Sequence, residues 1–440
     1  MKTTVEKPEP TKVKLTIEVP AGELAPLWAD TLKRLSHEVR VPGFRQGKVP
    51  KAILESRIGK EQIRQEVLKD ALPTLYEKAT EQEEIGPVAR PEIEVTKFGE
   101  NQDLTFTATV EVRADIDLPD YQSIEVAAPS GEATEEDVDN RLERLRERFG
   151  TLESVGRPAA TGDFVTVDLF GSLHGENLDD VSTQDFVYEI GSGMFGTKMD
   201  DELTGKRPGD IIQFNAEMPE YFRAKGLEPE ELTWRAVVKE VQAKRLPPLD
   251  DEFAKVASEF DTLEELRAEI GESITRHKSK DADLAVRNMV LMHMLDHTEV
   301  PLPSSLVNKE TELRLARLLN EIERSGLTFD EYLSRNKVDK ETLFDNYRQT
   351  SEVTVKADLI LEAVAKAEGI EVTEEDFEKE IQQLSEETKS EPEKLRKTML
   401  KPGAVNALAG DILRRKALDF LVEHVRITEE PAESTQQAKG

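Results

Sequence analysis

Two groups of residues have types and spacings that could do chemistry. The first lies between Lys33 and Lys60, where eight lysines and arginines (33, 34, 40, 45, 48, 51, 57 and 60) face two acids, Glu38 and Glu55, in a chain of formal net charge −31. At its centre is Val-Pro-Gly-Phe-Arg-Gln-Gly-Lys-Val-Pro, residues 41–50. Pro42 and Pro50 restrict the backbone at either end, and Gly43 and Gly47 permit the positive φ of a sharp tip, which pushes Phe44 and Arg45 outward. The chemistry on offer is capture of a polyanion, which the acidic remainder repels and only this tip attracts. An ordinary helix–loop–helix turn with solvated lysines has the same composition.

The second group is His293 and His297, four apart on a helical stretch. That spacing can chelate, but Met-Leu-Asp between them lacks the glutamate of the zinc-protease motif and no third ligand suggests itself, so no metal site is expected. There is no cysteine, which excludes disulfides and thiolate metal sites and suits a reducing compartment. No glycine-rich loop followed by Lys-Ser/Thr is present, so ATP-driven chemistry is not expected, nor is any other cofactor.

At 440 residues the chain should hold two to four domains. With 34% charged, 37% hydrophobic and 5% aromatic residues it has a soluble, helix-rich composition. The N-terminus has no signal-peptide core and no run approaches the roughly 20 apolar residues of a membrane span. A cytoplasmic protein with no membrane partner is expected.

The elements that must position the basic loop follow from periodicity. Val13, Leu15, Ile17 and Val19 alternate as in a half-buried strand; Leu24, Leu27, Trp28, Leu32 and Leu35 have helical spacing, as do Ile53, Ile63, Val67 and Leu72 beyond the loop. Alternation returns at 93–95 and 104–112, giving a compact α+β unit. Residues 115–129 are extended and acidic. The spacing predicts a connector helix over 133–149, opened by a Thr134/Asp137 capping box and lined by Val138, Leu142, Leu145 and Phe149. Short strands over 164–170, 185–190, 211–215 and 232–241 follow, then a stop at Leu246-Pro-Pro-Leu249. From 250 to about 427 the pattern is helical, starting at a capping box in 262–265, without a fixed repeat. The end, from 429, has the composition of a disordered tail.

Gly-Phe-Arg-Gln-Gly-Lys-Val-Pro, residues 43–50, resembles the ribosome-binding signature Gly-Phe-Arg-x-Gly-x-x-Pro of the bacterial trigger factor family. The resemblance implies that Gly43, Phe44, Arg45, Gln46, Gly47, Lys48 and Pro50 bind protein and RNA of the large ribosomal subunit beside the exit tunnel. The β-rich block resembles the FKBP-type peptidyl-prolyl isomerase domain through Gly-Asp-Phe-Val-Thr-Val-Asp at 162–168, Phe-Gly-Ser at 170–172, Asp185-Phe186, Gly-Ser-Gly-Met at 191–194 and Leu-Thr-Gly-Lys-Arg-Pro-Gly-Asp at 203–210. That likeness implies an apolar proline pocket lined by Leu178, Asp179, Phe186, Met194, Phe195, Tyr221 and Trp234, with Trp234 as its floor. Rotation about an X-Pro bond meets a resonance barrier of about 18–20 kcal/mol, and a dry pocket favours the twisted, less polar amide without a proton donor. Leu169 and Leu178 stand where that family usually has aromatics, and Met-Phe-Gly-Thr-Lys-Met at 194–199 replaces its Met-Ile-Pro-Gly-Phe loop, so a weak isomerase is expected. Phe186 and Trp234 also suit the plain core of a small β domain.

The expected architecture is multi-domain α+β: a ribosome-docking α+β domain (1–113), a linker with connector helix (114–160), an FKBP-like antiparallel β domain (161–245), a long all-α chaperone domain (246–428) and a tail (429–440). The family resemblance implies a chaperone that works without ATP on nascent polypeptides at the tunnel exit and assists their folding or export; a weak homodimer off the ribosome is the remaining partner expected. Two other readings stay open, an isomerase whose further domains only deliver it and a helical scaffold that never meets ribosomes.

Overall fold

The computed structural model describes all residues except 40, 42–43, 46, 101, 174–175, 218–230, 400, 402 and 430–440, and leaves out the side chains of 179–180, 231 and 429. The chain forms two compact units, Met1–Pro129 with Asp283–Gly440, and Ser130–Ala282.

The first unit opens with β1 (Lys2–Glu9), β2 (Lys12–Val19), α1 (Ala21–Glu38), α2 (Lys51–Ile58), α3 (Lys60–Gln82), β3 (Glu92–Lys97), β4 (Leu104–Glu111) and β5 (Glu125–Ala128). The first four strands make an antiparallel sheet in the order β1-β2-β4-β3. The alternation of β2 has its counterpart across the ladder: Val13, Leu15, Ile17 and Val19 pair with Val110, Ala108, Phe106 and Leu104, all buried on one face. α3 covers that face with Ala71, Leu75 and Ala79, a four-residue stripe, joined by Leu24 of α1. β1 carries no apolar alternation and is exposed along almost its whole length, with Pro8 inside it; edge strands tolerate both features because one ladder is left unpaired. Periodicity also runs straight through Gly59, where φ is +95° and a single residue ends α2 and starts α3.

The second unit begins with α4 (Glu135–Arg148), whose capping box forms as expected: Thr134 and Asp137 each bond the other's backbone N–H. β6 (Thr151–Ser154), β7 (Phe164–Leu173), β8 (Glu176–Glu189), α5 (Thr197–Leu203), β9 (Ile211–Glu217) and β10 (Glu231–Arg245) follow. The sheet runs β6-β10-β7-β8, with β9 also on β10. β10 is its spine: its first half pairs with β9, its end with β6, and its other edge with β7. α6 (Asp251–Ala257) and the first half of α7 (Leu263–His297) complete the unit, with Leu142 of α4 buried against Phe253, Ala254 and Leu266.

The rest of the chain is helical: the second half of α7, α8 (Ser304–Arg324), α9 (Phe329–Asn336), α10 (Lys340–Ala367), α11 (Glu374–Thr388), α12 (Pro392–Met399) and α13 (Ala404–His424), then β11 (Arg426–Glu429). Val290 and Met294 of α7, Ile360 and Val364 of α10, and Ala417 and Leu421 of α13 form its core. The extended segment after β4 is part of that core, since Ile124 and Val126 are buried in it and β5 pairs in parallel with β11. Of the tail expected from 429, only Glu429 is described, as the last residue of β11. α8 and α10 form a hairpin through α9, closed by a local cluster of Leu318, Ile322 and Leu343 with Phe329 and Tyr332 against it.

Candidate functional site

The described residues of the 41–50 span lie between α1 and α2 and are braced from below. Val49 is buried against Leu35, Leu54, Ile63 and Val67, and Val41 packs on the same cluster. The Phe44 N–H donates to the Val41 carbonyl (3.2 Å), the Lys48 N–H to the Arg45 carbonyl and the Gly47 N–H to the Ser36 carbonyl (2.9 Å each), which ties the turn back to α1. On this frame Phe44 is 42% exposed, and Arg45 and Lys48 are exposed beside it. Gly43 and Gln46 lie outside the described residues.

Arg40 lies outside the described residues, and the other seven cations of the basic island separate into two kinds. Arg34 is spent on structure, reaching Glu38 (3.0 Å), Glu66 (2.8 Å) and Asp70 (2.9 Å) and so clamping α1 to α3. Its hydrogen bonds to Glu66, Asp70 and Glu38 push its guanidinium further up. Burial pushes the Asp70 carboxyl up, but bonds from Arg34 and Thr31 outweigh it and hold the group below its ordinary value. Lys51 pairs with Glu55 (3.7 Å) and Glu100, and Lys60 with Glu55 (3.9 Å). Lys33, Arg45, Lys48 and Arg57 make no ion pair among the described residues, so an incoming phosphate has no internal carboxylate to displace from them.

In the β domain the predicted pocket residues split between core and surface. Trp234 is completely buried, its indole N–H donating to the Ala216 carbonyl (3.2 Å). The ring of Phe195, 2% exposed, stands edge-on to it with centroids 5.0 Å apart. Phe195 also meets Phe186, Tyr188 and Phe214 edge-to-face at 6.0–6.3 Å, the arrangement that aromatic quadrupoles prefer. Gly171 completes the cluster: a Cβ there would stand 2.5 Å from Val181 and 3.3 Å from the Trp234 ring. Trp234 thus lies beneath the Phe195 ring, with its indole buried. Open to solvent are the half-buried Leu178 and Phe186 and the exposed Met194. The Asp179 side chain and all of Tyr221 lie outside the described residues. Tyr188 donates to Asp200 (2.7 Å), and burial, with that carboxylate, pushes its hydroxyl up to about 12. With its indole and phenol groups already bonded, the cluster offers an apolar surface for a twisted amide rather than a proton relay.

Residues 1–145 match the family model for bacterial trigger factor protein, and 262–423 the model for its C-terminus. Residues 156–240 match that of the FKBP-type peptidyl-prolyl cis-trans isomerase. The trigger factor of Halothermothrix orenii is 34% identical over 425 residues, 96% of this chain and 99% of its own length. The chain belongs to the trigger factor family. The trigger factor of Nocardia farcinica is 35% identical over 444 residues, 100% of this chain and 94% of its own. A solved trigger factor chaperone, from work on promiscuous substrate recognition in folding and assembly, shares the fold with a TM-score of 0.52 at 24% identity, covering 96% of this chain and 99% of that one. The chain is thus a ribosome-associated chaperone with an FKBP-type isomerase domain, and neither the isomerase-first nor the scaffold reading is favoured.

Several residues that build these trigger factor sites escape sequence reasoning. Ser36 and Val49 hold the loop and the His37 ring lies against Gly47, but only Val49 has a readable signal, an apolar residue flanked by Lys and Pro. Met199, Tyr188 and Phe214 are buried around Phe195, and nothing in their spacing separates them from ordinary core residues. His293 and His297 stack face to face, centroids 4.1 Å apart and 16° between planes, with His297 Nδ1 2.9 Å from the His293 carbonyl oxygen. Parallel rings do not converge on an ion, and among the described residues no group of three or more His, Cys, Asp or Glu could hold one. No helix among the described residues is long and apolar enough to cross a membrane.

Proposed function

We propose that this member of the trigger factor family docks beside the exit tunnel of the large ribosomal subunit through residues 43–50. Phe44 makes an apolar contact with ribosomal protein, and Arg45 and Lys48 meet RNA phosphates. The observation that carries this is a braced turn presenting an exposed aromatic beside cations that have no ion-pair partner among the described residues. Gly47 and Pro50 shape the turn, and Gly43 and Gln46 belong to the same site by sequence.

The helical region would shelter emerging chains on the apolar side chains it leaves in water. Leu284 and Met292 of α7, Leu313 and Leu319 of α8, and Phe344 and Val353 of α10 are exposed, a density of open apolar groups that suits weak, repeated contact with unfolded segments. Release needs no nucleotide, because a client that buries its own apolar surface stops competing for the chaperone's. The same surfaces would support a weak homodimer off the ribosome. The β domain contributes slow isomerisation of X-Pro bonds through Leu178, Asp179, Phe186, Met194 and Tyr221, with Phe195 and Trp234 as its packed base. The labour divides over 1–113 for docking, 114–160 as connector, 161–245 for isomerisation and 246–428 for client binding, with 429–440 as a tail, in a cytoplasmic protein that assists folding or export.

Cosedimentation with ribosomes tests the dock. Phe44→Ala with Arg45→Ala should weaken binding tenfold or more while leaving thermal stability unchanged, and wild-type binding should fall steeply with salt. Undiminished binding by the double variant would remove residues 43–50 as the dock.

A further inference from the structure

The face of α4 that looks onto the first half of α7 carries a second concentration of cations. Arg141, Arg144 and Arg148 line a cavity of about 240 Å³ together with Leu145, Ile270 and Ile274. Positions i, i+3 and i+7 share one helix face, so the three guanidinium groups are strung along roughly 10 Å. The helix disposes of its other arginine internally: Arg146 bonds Glu143 (3.1 Å) and the Pro247 carbonyl (2.7 Å). Arg141, Arg144 and Arg148 make no ion pair among the described residues and are exposed. Glu269, the one carboxylate on the cavity wall among the described residues, is taken by Arg276 (2.8 Å). Three uncommitted guanidinium forks around an apolar floor, in a chain of net charge −31, are unlike the solvated, self-paired surface around them.

We propose that this groove binds short acidic polypeptide segments that carry an apolar side chain between their carboxylates. Guanidinium forks match carboxylates in a planar, bidentate manner, and Arg144 and Arg148, four apart, suit acids one helical turn apart or two strand positions apart. Leu145, Ile270 and Ile274 give the intervening apolar group somewhere dry to go. A long nucleic acid fits worse. Among the described residues no aromatic ring lines the groove for base stacking, and Glu143 and Glu147 on the same helix would meet a backbone with a charge at every step. The site goes beyond docking and general apolar client binding, because it selects by charge among polypeptide segments.

The test uses the full chain and a fluorescein-labelled 12-residue peptide of glutamate and leucine, read by fluorescence anisotropy. Wild type should bind it, with affinity falling at least tenfold for Arg144→Gln with Arg148→Gln, and less than twofold for Lys280→Gln, which removes a cation elsewhere in the same unit. Leu145→Ala should weaken binding three- to tenfold without changing its salt dependence. A lysine–leucine peptide of equal length should not compete, nor should a 12-nucleotide uridine RNA. Binding within twofold of wild type by the Arg144/Arg148 double variant overturns the proposal, and so does displacement by the RNA at equal concentration.

Discussion

The ring of His37 occupies the space that a side chain on Gly47 would need: a Cβ there would stand 2.3 Å from the imidazole. The glycine also has φ +77°, and its N–H closes the turn onto the Ser36 carbonyl. Gly47→Ala should therefore act twice, through about 1–2 kcal/mol of backbone strain and through displacement of His37. Ribosome cosedimentation should weaken several-fold although no docking side chain is lost. Adding His37→Ala should recover the steric part alone, which a double-mutant cycle in thermal stability resolves. Equal stability of Gly47→Ala and wild type would show that the turn does not depend on this contact.

Phe195 and Trp234 are coupled in a different sense, because they fill the β-domain core. Phe195→Ala should cost that domain about 3–5 kcal/mol, and Trp234→Ala a similar amount while also stranding the Ala216 carbonyl. Loss of isomerase activity in either variant would then track unfolding. Phe186→Ala and Met194→Ala remove surface at the open rim and should slow turnover of a short X-Pro peptide at nearly unchanged denaturation midpoint. A stable, inactive Trp234→Ala would restore the indole to the site.

Elements whose own residues carry the instruction were legible in the sequence. The alternation of β2 and β4, the capping boxes at Thr134 and Thr262, and the turn chemistry of residues 41–50 are local, and each predicts its element. What escaped depends on partners far along the chain. β1 shows no pattern because an edge strand need not bury a face. β11 exists because four residues after α13 find β5, which lies some three hundred positions earlier and itself looked like linker. Charge counting located the basic island but could not separate Arg34, committed to three carboxylates, from Arg45, committed to none among the described residues. The likeness to the FKBP-type domain implied a pocket, yet whether Phe195 lines it or seals it depends on packing. The same holds for Leu284 and Met292, which share a helix and an apolar character with the buried Val290 and Met294.

Arg34 is the test of that separation. Its three carboxylate partners sit on α1 and α3, and Arg34→Gln leaves Glu38, Glu66 and Asp70 facing one another without a cation. The variant should lower thermal stability by about 1 kcal/mol, the scale of a partly exposed ion-pair network, and weaken ribosome binding only modestly. Arg45→Gln, which breaks no pair, should do the reverse: stability unchanged, binding markedly reduced and its salt dependence shallower by about one charge. If the two variants lose binding equally at equal stability, the division into structural and free cations fails.

Asp358 of α10 offers a prediction in pH. Burial pushes its carboxyl up to about 6; Arg414 at 3.2 Å opposes the rise, and Glu362, Glu310 and Asp411 add to it. In the unfolded chain the group would titrate near its ordinary value of about 3.9. The folded state thus holds the proton more tightly, so this stabilising contribution is complete below pH of about 4 and is lost as pH rises through about 6. The carboxylate keeps partial contact with water, which limits the effect to about 1 kcal/mol. Asp358→Asn should abolish this component: the variant gains on wild type between pH 5 and 7 and stays ahead above it, since Arg414 retains Glu362 and Asp411. Amide hydrogen exchange along α10 and α13, compared between the two proteins at each pH, isolates the difference from all other titrations. Carboxyl NMR of Asp358 gives the midpoint directly, and a value near 4 would mean that the neighbouring acids and the burial are outweighed by Arg414.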